Sequence, residues 1–412
     1  MKTELTKSEF WRIEGVEWKE ITLKDLVEKY KGIQRGPWGG QIKKEIFVKS
    51  GYPVYEQGNV IKNNFTHFRY FLTQEKFNEF KNYHAIPGDF LITSAGTMGI
   101  IREIPDFAPI GSINQALIRI RINKNKITSE YFLLHFNYLI ERVKDEYSKG
   151  SAMKNLVSVK VIELLPFIIP YRDGKPDLET QKRIVEYIEA CFSRINTLLE
   201  KKKNILSQLN ELWESTLENA FKPREGEEWR AVRFNHLISK EKFQVGKVKV
   251  RNNLNKKGKI PVVDQSQKII SGFLNDEELS YKGPLPLVIF GDHTKIVKYI
   301  DFPFIVGADG VKVLLPNKDL LNPKYFYWLL KSVKLPKRGY ARHFKFLKQK
   351  SYPLPYRNGK PDLERQKEIA DYLDKVYEKI KSIKEKVQFQ INQLDEMKES
   401  ILNEVFRYDK GN

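Results

Sequence analysis

Residues 171–179 and residues 356–364 carry nearly the same sequence, and this repeat decides how the chain is organised. The first stretch reads YRDGKPDLE and the second reads YRNGKPDLE, so eight of nine positions are identical at an offset of 185 residues. The match continues at the same offset, where Gln181, Lys182, Ile184 and Tyr187 correspond to Gln366, Lys367, Ile369 and Tyr372. Each half of the chain is therefore a variable region followed by a near-duplicate segment.

The duplicated segment begins with helix-start signals. Asp173-Gly174 and Asn358-Gly359 are turn pairs. Pro176-Asp177 and Pro361-Asp362 then place a capping carboxylate at a helix N-terminus. We therefore predict two helices of about 45 residues each, or roughly 65 Å at 1.5 Å per residue.

Apolar residues recur along both helices with a period of 3.5 residues, which is typical of a coiled coil. Lys202 and Thr216 interrupt this pattern in the first helix, and the lone Cys191 lies on it, where we expect it to pack and not to react. The predicted seam comprises Ile184, Ile188, Ile195, Leu198, Ile205 and Leu209 in the first helix, and Ile369, Leu373, Val376, Ile380, Ile383, Val387 and Leu394 in the second.

Short links on either side of the second variable region require the second helix to return along the first. The sequence therefore predicts an α+β protein with two globular mixed α/β heads, separated by an antiparallel coiled coil of two long helices and related by a pseudo-two-fold. The predicted divisions are residues 1–170 (the first head), 171–222 (the first helix), 223–355 (the second head) and 356–412 (the second helix). A weaker echo between Glu17-Trp18 and Glu228-Trp229 predicts that the N-terminal segment meets the C-terminal helix near Phe406.

The excess positive charge lies in the heads. The chain of 412 residues carries a formal net charge of +20. Both helical segments are neutral, the first head carries +6 and the second head carries +14. Two basic heads on a neutral spacer indicate a nucleic-acid partner.

Composition excludes several other classes. No stretch is apolar enough to span a membrane, and the N-terminus MKTELTKSEF lacks the apolar core of a secretory signal. One cysteine excludes an internal disulfide and a cysteine zinc site, and the six histidines have no metal-ligand spacing. We expect a cytoplasmic protein with no metal site.

Candidate DNA contacts in the first head lie in loops with glycine or basic residues. Small residues after a predicted strand allow backbone N–H groups to approach a phosphate, although an ordinary tight loop is equally compatible with them. A glycine-rich loop and a basic loop provide further candidates. The predicted contacts are Arg35, Trp38, Gln41, Ser94, Gly96, Thr97, Gly99 and Lys154, with Gln34 as a neighbour of the first.

The second head has stronger basic and aromatic segments. Residues 337–345 interleave cations with aromatic side chains, which suits phosphate binding and an arginine on guanine. Solvated basic loops remain the alternative. The predicted contacts are Lys249, Arg251, Asn252, Asp292, His293, Thr294, Arg338, Tyr340, Arg342 and Lys345.

No nucleotide-binding P-loop, glycine-rich cofactor loop or base-methylation motif occurs, so we predict no catalytic residues. The Pro-Asp pairs resemble part of a nuclease motif, but the Glu-x-Lys that should follow is absent. The chain resembles the DNA-specificity subunit of type I restriction–modification systems over nearly its whole length. The resemblance rests on Leu178-Glu179-x-Gln181-Lys182-x-Ile184 with its second copy, on Gly291-Asp292-His293-Thr294, and on residues 338–342.

This resemblance implies that each head reads one half of a split, asymmetric DNA site, while the helices set the unread gap. It also implies that two methylation subunits dock on the helices and that translocating restriction subunits complete the complex. S-adenosylmethionine, ATP and Mg²⁺ would then belong to those partners, with no cofactor on this chain. The first head carries Ser94–Gly99 where the second has Gly-Asp-His-Thr, which makes its contacts less secure. Two alternatives stay open: a nuclease fused to recognition domains, and a coiled-coil scaffold with RNA-binding heads.

Overall fold

A computed structural model describes residues 13–37, 44–147, 159–241, 243–244, 246–248, 254–307, 310–336 and 342–407. The chain divides into two compact units. The first unit comprises residues 1–199 and 392–412, and the second comprises residues 200–391. Each unit therefore contains one head and part of both long helices.

The first head is a mixed α/β domain with three small sheets in the order β1-β10-β11, β2-β9-β6-β7 and β4-β3-β8-β5. Its strands are β1 Glu17–Thr22, β2 Ile33–Arg35, β3 Tyr52–Tyr55, β4 Phe71–Leu72, β5 His84–Ala85, β6 Phe90–Thr93, β7 Ile101–Glu103, β8 Gly111–Ile113, β9 Leu117–Ile120, β10 Pro166–Arg172 and β11 Lys175–Pro176. Its helices are α1 Leu23–Leu26, α2 Gln57–Ile61, α3 Gln74–Glu79, α4 Ser129–Tyr147 and α5 Val159–Glu163, and the long helix α6 Leu178–Asn219 follows.

The second head repeats this plan with sheets β12-β20-β21, β13-β18-β14-β15 and β17-β16-β19. Its strands are β12 Glu228–Arg233, β13 Lys247–Val248, β14 Ile260–Val263, β15 Gly272–Leu274, β16 Leu287–Gly291, β17 Val297–Ile300, β18 Ile305–Gly307, β19 Val311–Leu314, β20 Ser351–Arg357 and β21 Lys360–Pro361. Its helices are α7 Phe234–Leu237, α8 Pro323–Ser332 and α9 Phe344–Lys348, and the long helix α10 Leu363–Phe406 follows. Two mixed α/β heads and two long helices confirm the predicted fold class. The predicted divisions at residues 170 and 355 fall inside β10 and β20, and the four-part division stays a prediction.

The repeated sequence motif joins each head to its long helix. Asp177 accepts a hydrogen bond from the Thr180 N–H (3.0 Å) and forms an ion pair with Arg172 (2.9 Å). Asp362 does the same with the Arg365 N–H and Arg357 (2.9 and 2.7 Å). Both carboxylates are thus engaged in helix capping, as predicted from the Pro-Asp pairs.

A buried glutamine one helical turn later completes this junction. Gln181 accepts from the Thr128 N–H and donates to the Lys126 carbonyl, both at 3.0 Å. Gln366 accepts from the Asn322 N–H and donates to the Leu320 carbonyl, both at 2.9 Å. Each side-chain amide therefore forms hydrogen bonds with a backbone N–H and a backbone carbonyl just before α4 or α8, which explains why the repeat contains glutamine there.

In the second unit the two long helices run antiparallel. Lys384 donates to Asn210 (2.5 Å), and the rings of Trp213 and Tyr377 lie 5.1 Å apart, so positions on α10 fall as positions on α6 rise. In the first unit Ile184 and Ile188 share a core with Val405 and Phe406. Trp18 packs against the same core, which confirms that the N-terminal segment meets the helix end near Phe406.

The predicted seam is corrected at Leu198. This side chain is 44% exposed, whereas Leu199 is 7% exposed. Leu212 is also exposed, and Trp213 beside it packs against the core of the second head. Apolar residues occur in adjacent pairs here, so the sequence allowed two rows, and α6 buries the later residue at Leu198-Leu199 and at Leu212-Trp213. The other twelve predicted seam residues are buried or half-buried.

Candidate nucleic-acid interface

Parallel strand pairs gather several loops at one edge of each head. In the first head β3 runs parallel to β8, with Val54 opposite Ser112. In the second head β18 runs parallel to β13 and β14. Because the carboxyl ends of parallel strands meet at the same edge, the segments that follow β3 and β8 lie at one edge of the first head. In the second head the segment that follows β14 lies at the edge where β18 ends.

Gln57 organises this edge in the first head. Its Nε2 donates to the Ala95 and Thr97 carbonyls, the second at 3.2 Å, and so ties the end of β3 to the loop after β6. The Ser94 N–H donates to the Ala116 carbonyl (2.8 Å), which adds the segment before β9. Arg35 is half-buried and pairs with Ile118 of β9. The structure thus places Arg35 on β2 and the 94–99 loop directly after β6, and these two strands flank β9 in one sheet.

The predicted contacts in the 94–99 loop divide into two groups. Ser94 and Gly99 are buried, and the Gly99 N–H donates to the Thr93 carbonyl (2.8 Å). Gly96 and Thr97 are exposed, and Gly96 adopts a φ of 58°, which favours glycine. Gly96 and Thr97 are therefore the predicted contacts of this loop that a ligand can reach, while Ser94 and Gly99 shape the loop.

Asp292 positions the comparable loop of the second head. It is 4% exposed, and its carboxylate accepts from the Phe344 N–H (2.9 Å) at the start of α9. Its carbonyl accepts from the His343 N–H (2.8 Å). These contacts correct the prediction for Asp292, because an enclosed carboxylate joins two loops and does not present itself to a base edge.

In the second head, Gln265 has the role that Gln57 has in the first head. Its Oε1 accepts from the His293 N–H (3.3 Å). A side chain at Gly291 would clash with the Thr294 hydroxyl and meet the Gln265 Cβ at 2.9 Å, so glycine allows this close approach. His293 is half-buried and Thr294 is exposed at the tip of the loop.

The basic segment before α9 ends beside this loop. Arg342 and Lys345 are exposed on either side of the buried His343, whose Nδ1 lies 3.1 Å from the Asp292 carbonyl oxygen. Arg342, Lys345 and Thr294 therefore belong to one surface. The remaining predicted contacts, Trp38, Gln41, Lys154, Lys249, Arg251, Asn252, Arg338 and Tyr340, lie outside the described residues.

The two glutamines were missed by the sequence reasoning, although a signal exists. Residues 53–57 read PVYEQ and residues 261–265 read PVVDQ. This match has an offset of 208 residues and is therefore not part of the repeat at 185 residues. The repeated Pro-Val-x-acid-Gln pattern indicates a strand that ends in a loop-binding glutamine.

Two cationic side chains of the heads are buried and bind groups inside the protein. Arg119 is 2% exposed and donates to the carbonyls of His84 (2.7 Å) and Lys31, and burial lowers its pKa to about 10. Lys298 is 4% exposed beside Asp264 (3.6 Å), and burial lowers its pKa as well. These two cations support loops from within, so the net charge overstates the charge available to a ligand.

Residues that the structure describes contain no group of three or more His, Cys, Asp or Glu side chains able to hold a metal ion. Within the same residues, no helix has the length and apolarity needed to cross a membrane.

Comparisons with known proteins agree with this arrangement. The model of the type I restriction modification DNA specificity domain matches residues 15–208 and 227–393, one match for each half. The specificity subunit of the type I restriction enzyme StySPI from Salmonella potsdam is 29% identical over 139 residues. That match covers 34% of this chain and 29% of that subunit, less than a third of its length.

Two solved structures share the fold. A chain from a study of complex assembly and conformational transition in a type I restriction–modification system has a TM-score of 0.67 at 17% identity, covering 95% of this chain and 98% of that one. The HsdS subunit from Thermoanaerobacter tengcongensis has a TM-score of 0.53 at 16% identity, covering 96% of this chain and 98% of its own. With the family model matching most of both halves, the chain belongs to the type I restriction–modification DNA specificity family.

Proposed function

We propose that this chain reads a bipartite, asymmetric DNA site, with one half-site for each head. The observation that carries this proposal is the duplicated edge, at which Gln57 and Gln265 each fix the loop that follows the central strand of their head. Two such edges in one chain provide two reading surfaces of different sequence, and asymmetry of the site follows from that difference.

The paired helices act in this proposal as a spacer. They are neutral overall, whereas the heads carry the excess positive charge. A neutral spacer makes few phosphate contacts of its own, so the DNA between the half-sites is spanned and not read. The helices also provide the docking surface for two methylation subunits, which translocating restriction subunits join.

Catalysis belongs to the partners in this proposal. The chain supplies sequence recognition, while S-adenosylmethionine, ATP and Mg²⁺ bind to the methylation and restriction subunits. The capping carboxylates Asp177 and Asp362, which resemble part of a nuclease motif in sequence, are engaged with Arg172 and Arg357. This engagement favours a recognition protein over a nuclease.

Selection from a random duplex library tests the proposal. The chain, assembled with its methylation subunits, is expected to enrich two short motifs separated by a fixed gap. Gln57→Ala is expected to relax one motif and Gln265→Ala the other, since each releases the loop of a single head. Enrichment of a single contiguous motif, preference for single-stranded RNA, or hydrolysis of duplex DNA by the purified chain with Mg²⁺ would contradict the proposal.

A further inference from the structure

A cavity of about 640 Å³ lies in the second unit between the second head and α10. Its lining contains five lysines and two carboxylates, together with the aromatic side chains of Tyr299, Tyr327, Trp328 and Tyr377. The volume is in the range of small-molecule sites. Three of the lysines pair with carboxylates, Lys298 with Asp264, Lys324 with Asp374 and Lys381 with Glu378. Lys295 and Lys331 are left as the cations of the lining that point to an anionic occupant.

Lys331 is the central cation of this cavity. Its Nζ lies 5.0, 5.1 and 5.0 Å from the ring centres of Tyr327, Trp328 and Tyr377, and donates to the Tyr327 hydroxyl at 3.0 Å. The rings offset part of the cost of removing the ammonium from water. Burial lowers the pKa of Lys331, as expected for an ammonium whose hydration is incomplete.

The carboxylates of the cavity are paired with other lysines. Asp374 forms an ion pair with Lys324 (3.3 Å) and accepts from the Trp328 indole N–H (2.8 Å). Glu378 pairs with Lys381 (4.0 Å). No carboxylate in the described part of the chain forms an ion pair with Lys331. A half-buried ammonium without a counter-ion is unfavourable, and an anion bound in the cavity would complete it.

The first head does not repeat this arrangement, although the surrounding structure is duplicated. The hydroxyls of Tyr131 and Tyr325 donate to the equivalent carbonyls of Ile168 and Pro353, which aligns α4 with α8. On that alignment Lys331, Tyr327 and Trp328 correspond to Asn137, Leu133 and Leu134. Phe192 stands at the position of Tyr377, and the two leucines and Phe192 pack against the core. The lysine and its aromatic partners are therefore not needed for the shared fold.

From these contacts we propose that the cavity is a phosphate-binding site with Lys331 as its central ligand. The cavity adjoins the reading edge, because the lining residue Lys295 directly follows Thr294 and Gln267 lies two residues beyond Gln265. Two sources can supply the phosphate: the DNA backbone beside the half-site, or a free nucleotide. The DNA source rests on the proposed function, whereas the free-nucleotide source is independent of it.

The test uses the full chain and four proteins: wild type, Lys331→Met, Lys331→Arg and Lys318→Met. Methionine keeps the apolar stem among the rings, arginine keeps the charge, and Lys318 is an exposed lysine of the same head outside the cavity lining. In the first arm, adenosine 5′-monophosphate, inorganic phosphate and adenosine are titrated while the tryptophan fluorescence of the chain, to which Trp328 in the cavity contributes, is followed. In the second arm, the salt dependence of binding to selected duplex DNA is measured with the methylation subunits present.

A free-nucleotide source predicts that the two phosphate compounds bind and adenosine does not, with Lys331→Met about tenfold weaker or more. Lys331→Arg and Lys318→Met keep the wild-type affinity. A DNA source instead predicts that Lys331→Met lowers the salt slope by about one, while Lys331→Arg retains it. A positive result in either arm supports the phosphate site and identifies its source.

Several results would overturn the proposal: no response to Lys331→Met in either arm, adenosine binding as well as its phosphate, or an equal loss in Lys318→Met. Should Lys331→Met not fold, the wild-type chain still decides, since phosphate or DNA must slow acetylation of Lys331 and not of Lys318. Suppose that Lys331→Met selects a bipartite site normally, with an unchanged salt slope and no phosphate response. This result would reject the phosphate site in the cavity and leave the proposed function intact. Phosphate binding by a chain that selects no DNA would support the phosphate site and reject the proposed function.

Discussion

His135 shows how a single residue can differ between two copies of one structural position. It is fully buried beside the ring of Phe406 (4.2 Å) and corresponds to Leu329 in the second head. Neither ring nitrogen has a hydrogen-bond partner, and burial lowers the pKa of His135 to about 3. The imidazole is therefore neutral in the folded state, and an apolar residue would suit the site better.

We expect His135→Leu to stabilise the first unit and to reduce its sensitivity to acid. Below the unfolded pKa of about 6.5, the unfolded chain gains a proton that folded His135 does not, so the free energy of unfolding falls as the pH drops toward 3. At about pH 5 the protonation of this group in the unfolded chain lowers the free energy of unfolding by about 2 kcal/mol relative to neutral pH. Urea unfolding of both proteins at about pH 7 and about pH 5 checks the difference, and an equal pH dependence in the two would contradict it.

Arg342 is an exposed cation next to the loop that contains the buried Asp292. We expect Arg342→Gln to weaken DNA binding and to lower the salt slope by about one, because the basic segment of Arg342 is a predicted phosphate contact and the change removes one cation. Binding is measured across a range of salt concentrations, with Lys318→Gln as an exposed control in the same head. An unchanged slope would remove Arg342 from the contact surface.

At this scale the sequence does not separate exposed side chains from buried ones within a predicted contact loop. Asp292 and Ser94 occur in predicted contact segments, yet both are buried and hold loops in place. Residue type does not distinguish an aspartate that contacts a base from one that caps α9. Only the register of neighbouring strands shows which side chains face outward, and that register depends on contacts distant in sequence.

The long helices show what periodicity can and cannot determine. The start of α6 and α10, their approximate length and the cap at Asp177 and Asp362 follow from local sequence. The seam is less certain, because Leu198-Leu199, Ile205-Leu206 and Leu212-Trp213 offer two apolar rows. Packing against the partner helix and the head selects between them, and neither is visible in a single helix sequence.

Two leucines that are adjacent in sequence test the observed seam. We expect Leu199→Ala to cost about 2–3 kcal/mol, since the side chain is 7% exposed, and Leu198→Ala to stay within about 0.5 kcal/mol, since it is 44% exposed. Unfolding of the two variants in urea measures both values. If Leu198→Ala were the more damaging change, the seam as predicted from the sequence would be right and the observed one wrong.

At the scale of the whole molecule, duplication is the most informative feature of the sequence. The repeat alone indicates two heads and two long helices, and it separates the neutral helices from the basic heads. The second repeat, at an offset of 208 residues, differs from the first because the two heads have loops of different length. This difference concealed Gln57 and Gln265 and with them the common plan of the two reading edges.

The central claim is that paired helices hold two DNA-reading heads at a fixed separation, and its most direct test changes the length of the helices alone. Inserting one heptad into α6 and one into α10 at facing positions adds roughly 10 Å to each helix. We predict that selection from random duplex DNA then recovers both half-sites unchanged, with a gap longer by up to about three base pairs. Recovery of both half-sites at the original gap would contradict the claim.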